Sequence, residues 1–190
     1  MRHTVGVLAL QGAFAKHAEK LVKLGARVVE VVRPSHLVAC DALVMPGGES
    51  TVMMKHLLAS GLYQAIQQFG ASKPVLGTCA GAILLSREVI GHPMQPLNLL
   101  DIAVTRNAYG RQIESFRHTL TLSVPPGKPK NITGFFIRAP KITRVGPSVE
   151  VLATHANMPV FVRQGCVYAA TFHPELTDED HLHALFLKSI

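Results

Sequence analysis

The chain has 190 residues, 48% of them hydrophobic and 16% charged, with a formal net charge of +7. That length carries one domain with a proper core, expected over residues 1–190, and the composition excludes a disordered chain. Every apolar run is broken by Pro, Gly or a charge before it reaches a membrane span, and the Lys and Arg residues are scattered without aromatic interleaving, so neither a membrane nor a nucleic-acid partner is expected.

Residues 5–10 are apolar throughout, as a parallel strand buried on both faces would be. The run is too short for a signal-peptide core. Residues 13–24 have helical periodicity. Residues 27–32 are β-branched and predict a second strand; residues 41–45 predict a third, followed by Pro46-Gly47-Gly48. Ser50-Thr51 opens a Met- and Leu-rich helix to about Ser60, and residues 62–69 predict another. Residues 74–76 predict a strand that runs straight into Gly77-Thr78-Cys79-Ala80-Gly81, with the apolar residues 82–85 behind it. This alternation predicts a doubly wound, mostly parallel α/β sheet flanked by helices.

The second half reads differently. Residues 101–105, 119–124, 135–137, 149–153, 160–163 and 167–172 are short strand candidates separated by turn residues such as Pro125-Pro126-Gly127, Gly146-Pro147 and Asn157. Some should extend the sheet and some form hairpins, adding antiparallel strands. Asp178-Glu179-Asp180 should start a closing helix, with acids where the helix dipole favours them.

Cys79 stands at a strand-to-helix turn between small residues, which predicts a sharp elbow presenting the thiol. The helix N-terminus behind it favours thiolate, the attacking form. The other reading of such a cysteine is an inert core residue, but a core residue needs no tight turn. Cys40, Cys79 and Cys166 are odd in number and widely spaced, which argues against disulfides or a zinc motif and for a reducing, cytoplasmic location.

A thiol needs a proton acceptor, and neutral imidazole suits that task. The last strand candidate leads into His173-Pro174-Glu175. In an extended segment residues two apart face the same side, so Glu175 can orient His173 and stabilise its cation. His17, His36, His56, His92, His118 and His155 lack a carboxylate at useful spacing and read as surface or core residues. His181 and His183, two apart on a helix, do not share a face. For the oxyanion of a tetrahedral intermediate, the Ala80 backbone N–H is one donor, and the Gly47-Gly48 loop is placed to supply a second. That loop lacks the spacing and the lysine of a nucleotide-binding loop.

The Gly-x-Cys-x-Gly elbow, the His-Pro-Glu ending and Pro-Gly-Gly after the third strand together resemble the class I, triad-type glutamine amidotransferases. Residues 5–13 (VGVLALQGA), Pro46-Gly47-Gly48-Glu49-Ser50-Thr51, Arg106-Asn107, Tyr109-Gly110-Arg111-Gln112, Phe136-Ile137-Arg138-Ala139-Pro140 and residues 172–177 (FHPELT) narrow the likeness to the glutaminase subunits of pyridoxal 5′-phosphate synthase, over almost the whole chain and in order. The resemblance implies hydrolysis of L-glutamine to glutamate and ammonia. Cys79 would be the nucleophile, His173 the base and Glu175 its orienter. Gly47, Gly48, Glu49, Arg106, Ile137 and Arg138 match positions that hold glutamine, Ala80 serves the oxyanion, and Gln11 matches a position near the active site at the partner interface. It also implies a separate (β/α)₈-barrel synthase chain that consumes the ammonia in vitamin B6 biosynthesis, and no metal or organic cofactor. The 190 residues leave no room for a synthase domain, so the acceptor is expected on another chain. Two other readings fit an elbow cysteine: a hydrolase acting on glutamyl peptides without a partner, and a non-catalytic regulatory subunit.

Overall fold

The computed structural model describes residues 2–106, 115–124 and 127–190. Most of the motif at residues 106–112, and the Pro125-Pro126 turn, lie outside the described residues. In chain order the elements are β1 (Thr4–Leu8), α1 (Phe14–Lys23), β2 (Arg27–Val31), β3 (Ala42–Met45), α2 (Ser50–Ser60), α3 (Leu62–Gly70), β4 (Val75–Thr78), α4 (Ala80–Leu85), β5 (Ser86–Val89) and β6 (Leu100–Thr105). The rest are β7 (Ser115–Leu122), β8 (Lys130–Ile137), β9 (Lys141–Val145), β10 (Glu150–His155), β11 (Met158–Gln164), β12 (Val167–Ala170) and α5 (His181–Leu187), with 3₁₀ turns at Pro34–Ala39 and Pro174–Leu176.

Seven strands form one sheet in the order β10-β11-β12-β4-β3-β1-β2. The five from β12 to β2 are parallel, and β11 and β10 extend the sheet antiparallel. β5, β6 and β9 make a small mixed sheet, and β7 and β8 a hairpin. The expected α/β class, mostly parallel with added antiparallel strands, holds.

Alternate side chains of each central strand go to opposite faces. Leu43, Met45, Val75, Val167 and Ala169 pack with Met53 and Leu57 of α2, Ile66 of α3 and Leu84 of α4. Val44, Leu76, Tyr168 and Ala170 pack on the other face with Leu21 of α1, Phe186 of α5, and Leu120 and Phe136 of the hairpin. Burial on both faces explains why β3, β4 and β12 read as unbroken small or apolar runs, while the edge strand β2 alternates less regularly.

Several boundaries differ from expectation. β1 stops at Leu8 and β12 at Ala170, although the next N–H groups, of Ala9 and Thr171, still donate to Val31 and Val160 at 3.0 and 2.8 Å. β5 and β9 were not foreseen in the sequence: β5 starts directly from α4 with no turn residue, and its Arg87 and Glu88 are exposed. The closing helix begins at His181, with no acid in its first turn. Asp180 instead pairs with Lys20 and Lys23 of α1, and the Glu179 carboxylate accepts from the Thr133 backbone N–H and hydroxyl at 2.9 and 2.7 Å. Tertiary cation and donor partners outcompete the short helix's dipole.

The chain leaves β1 for β2 on one side and returns to β3 on the other, so the strand order reverses between β1 and β3. In such sheets ligands bind outside the carboxyl ends near the reversal. Gln11 follows β1, Gly47 follows β3, Cys79 follows β4, and His173 follows β12.

Candidate active site

Cys79 has φ 49° and ψ −105°, a conformation a non-glycine residue adopts only when its surroundings hold it there. Its N–H donates to the Ala170 carbonyl at 2.8 Å. The glycines around it serve a different need from the one expected. Neither takes positive φ; they allow close approach, since a β-carbon on Gly81 would lie 2.1 Å from the Met45 oxygen. The strain sits on the cysteine itself. The helix behind the sulfur, α4, has only six residues before the chain enters β5.

His173 Nδ1 donates to Glu175 Oε1 at 2.6 Å. The predicted pair is therefore in contact, but not through an extended segment: Pro174–Leu176 is a 3₁₀ turn that curls the carboxylate back to its own neighbour. Burial alone would depress the His173 pKa; the Cys79 sulfur and the Glu175 carboxylate outweigh it and push it up to about 10. Burial would raise the Glu175 pKa, yet His17 and His173 hold it well below the usual carboxylate range. The arrangement favours an imidazolium between a sulfur and a carboxylate, and a cationic His173 is the natural counterion for a thiolate.

One cavity of about 350 Å³ is lined by Gln11, Gly47, Gly48, Glu49, Cys79, Ala80, Arg106, Ile137, Arg138 and His173 together. Glu175 stands behind His173, its side chain fully buried. Gly47 packs against both side chains: a β-carbon there would lie 2.4 Å from His173 Cε1 and 3.2 Å from Cys79 Cβ. The Arg106 guanidinium points at Glu49, Nη2 to Oε1 3.2 Å. The Glu49 carboxylate also caps α2, accepting from the Thr51 and Val52 N–H groups at 3.1 and 2.8 Å and from the Thr51 hydroxyl at 2.5 Å. The Thr51 hydroxyl bond is the largest influence lowering the Glu49 pKa. Glu49 thus holds Arg106 at the cavity wall. Ile137 and the exposed Arg138 close the opposite side, the Ile137 carbonyl 4.0 Å from Cys79 Sγ. The Gln11 side-chain oxygen is buried beside Gly48 with no hydrogen-bond partner among the described residues.

His17 corrects an expectation. It has no carboxylate nearby in sequence, but the fold brings Glu175 Oε2 to 3.3 Å from its Nε2. Thr78 Oγ1 lies 3.2 Å from the same nitrogen, and His183 Nε2 lies 2.9 Å from Nδ1. The one signal available was periodicity: His17 is four residues before Leu21, on the buried stripe of α1. Among the described residues, no three His, Cys, Asp or Glu side chains come together to hold a metal.

The chain is similar to proteins described as pyridoxal 5′-phosphate synthase subunit PdxT. That of Koribacter versatilis is 50% identical, covering 98% of this chain and 95% of its own length. Those of Deinococcus radiodurans and Thermus thermophilus are 50% and 48% identical, covering 97% and 99% of this chain and 95% and 98% of their own lengths. A solved glutamine amidotransferase superposes with a TM-score of 0.91 at 46% identity, over 97% of each chain. A chain of PurLQS from Thermotoga maritima superposes at 0.75 with 15% identity, over 100% of this chain and 98% of its own, a likeness of fold. The model of the SNO glutamine amidotransferase family matches residues 7–190, and the chain belongs to that family.

Proposed function

We propose that residues 1–190 act as a single glutaminase domain of a pyridoxal 5′-phosphate synthase, releasing ammonia from L-glutamine for a (β/α)₈-barrel synthase subunit on another chain. The observation that carries this reading is the shared cavity: sulfur, imidazole, glycine loop and guanidinium line one space at the carboxyl ends of parallel strands, in a chain of the SNO family.

Each step has a residue to carry it. The Cys79 thiolate attacks the side-chain amide carbon of glutamine, forming the C–S bond and an oxyanion. The Ala80 N–H and a donor from the Gly47-Gly48 loop meet that oxygen, where one donor is worth about 3 kcal/mol of barrier. The His173 imidazolium gives its proton to the nitrogen as the C–N bond breaks, and ammonia leaves a thioester. His173 then takes a proton from water, the hydroxide adds to the thioester, and the thiolate departs as glutamate forms. Glu175 keeps the Nδ1 proton in place throughout, so that Nε2 exchanges protons at the sulfur side. Arg106 offers a guanidinium for the substrate α-carboxylate. Glu49, Ile137 and Arg138 shape the rest of the pocket. Gln11, which lines the cavity and whose amide oxygen has no hydrogen-bond partner among the described residues, is the group we assign to the synthase-facing side. The three unpaired cysteines suit a reducing cytoplasm.

The test is ammonia release from L-glutamine, with and without the cognate synthase, by the wild type and Cys79→Ala. Synthase-stimulated release that Cys79→Ala abolishes is expected. Undiminished release by Cys79→Ala overturns the nucleophile. Activity on glutamyl peptides alone, or none on any amide, overturns the glutaminase reading.

A further inference from the structure

His17 and His183 are fully buried imidazoles for which the reaction just described has no use. They come from α1 and α5, far apart in sequence, and meet at 2.9 Å. A buried imidazole pair costs desolvation unless each nitrogen finds work. His17 Nε2 faces both Glu175 Oε2 at 3.3 Å and the hydroxyl of Thr78, the residue before the nucleophile, at 3.2 Å. Beside a carboxylate, that nitrogen must carry the proton. Burial first, then the basic His17 and Lys20, push the His183 pKa down to about 3, so His183 is neutral. Its proton belongs on Nε2, donated to His17 Nδ1, which leaves Nδ1, without a partner among the described residues, as a bare acceptor rather than a bare donor.

We infer that His17 is a positioning residue for the glutaminase centre: its Nε2–H donates to Thr78 and sets its positive end 3.3 Å from the second oxygen of Glu175, which has no hydrogen-bond partner among the described residues, while His173 holds the first, and His183 fixes the His17 tautomer. The inference rests on the glutaminase reading for its kinetic consequence. Glu175 is then flanked on both sides, by a hydrogen bond at one oxygen and an electrostatic contact at the other. A carboxylate held at one oxygen can rotate about its Cγ–Cδ bond; partial positive charge beside the second oxygen disfavours that rotation and steadies the His173 ring. The Thr78 contact ties the same imidazole to the strand that carries Cys79. His17 thus joins nucleophile strand and base turn through one ring, from behind the cavity, without touching it.

The experiment compares His17→Met, an apolar side chain of similar length, with His17→Gln, whose amide N–H reaches the place of Nε2–H. In the presence of synthase, His17→Met should lose about tenfold to a hundredfold in kcat, by analogy with metal-bound imidazoles that lose their outer partner. KM should stay within about twofold, since no substrate contact is removed. Carboxamidomethylation of Cys79, read by peptide mass, should slow about tenfold near pH 6 and recover near pH 10, where a thiol ionises unaided. His17→Gln should restore both readouts to within about threefold of wild type. A folded His17→Met with wild-type kcat and alkylation profile overturns the inference, as does a His17→Gln no better than His17→Met. If His17→Met does not fold, ring-¹⁵N spectra of wild type and Glu175→Gln decide. Shifts at both His17 and His173 support the shared carboxylate, and an unmoved His17 signal overturns it. A wild type that releases no ammonia from glutamine sinks the glutaminase reading instead, while alkylation and ring spectra still judge His17.

Discussion

The backbone N–H of Cys79 donates to the carbonyl of Ala170 at 2.8 Å, so the cysteine's own peptide is the last rung between β4 and β12. Ala170 lies three residues before His173. The ladder that holds the sheet together therefore also sets the spacing of sulfur and imidazole. Cys79→Ser keeps this rung and the strained elbow, and should melt close to the wild type. Its hydroxyl does not ionise near neutral pH, so glutamine turnover should fall by at least about a thousandfold. Thermal melting and ammonia release on the same preparation check both halves.

Gly47 leaves no room for a side chain against His173 and Cys79. A β-carbon 2.4 Å from His173 Cε1 must displace the ring or the loop. Displacement of reacting groups by about 1 Å costs about a hundredfold in rate. Gly47→Ala should lose about that in kcat while folding normally, as far-ultraviolet dichroism and steady-state kinetics would show.

Among the described residues Arg106 is held at the cavity wall by Glu49 through one hydrogen bond at 3.2 Å, and the rest of its guanidinium fork suits a carboxylate. Lysine keeps the charge but loses the fork. Arg106→Lys should raise the KM for glutamine about tenfold, the loss of one charged hydrogen bond, with kcat nearly unchanged. A fall in kcat at constant KM would contradict a substrate-binding role.

His183 gives the fold a pH dependence of definite sign. Its folded pKa, about 3, lies below the ordinary value of 6.5. The unfolded chain therefore binds a proton that the folded chain refuses as pH falls below 6.5. The stability its neutral form supports is complete above that value and is lost on the way down to about 3, at up to about 1.4 kcal/mol per pH unit. His155, whose pKa is lowered by burial and by His118, adds in the same direction. His173, pushed up to about 10, works the other way over this window, because its unfolded form gains a proton only as pH falls through 6.5. Urea unfolding between pH 7.5 and 5 therefore reads the His183 share as the difference between wild type and His183→Leu, which should lack one proton's worth of decline.

The sequence by itself determined the alternation of the first half, because buried parallel strands and amphipathic helices write their periods locally. It also determined the elbow around Cys79 and the adjacency of His173 and Glu175, because those contacts span few residues. The fold alone decided the rest. The turn at Pro174–Leu176, rather than an extended strand, brings Glu175 onto His173. The acids before α5 answer to Lys20, Lys23 and Thr133, partners no local rule names. β5 and β9 exist because a second small sheet accepts them. His17 and His183 are 166 residues apart, and nothing in either neighbourhood points to the other or to Glu175. Local rules describe what a segment does with its own backbone. Which buried polar groups satisfy one another depends on which elements the packed core places side by side.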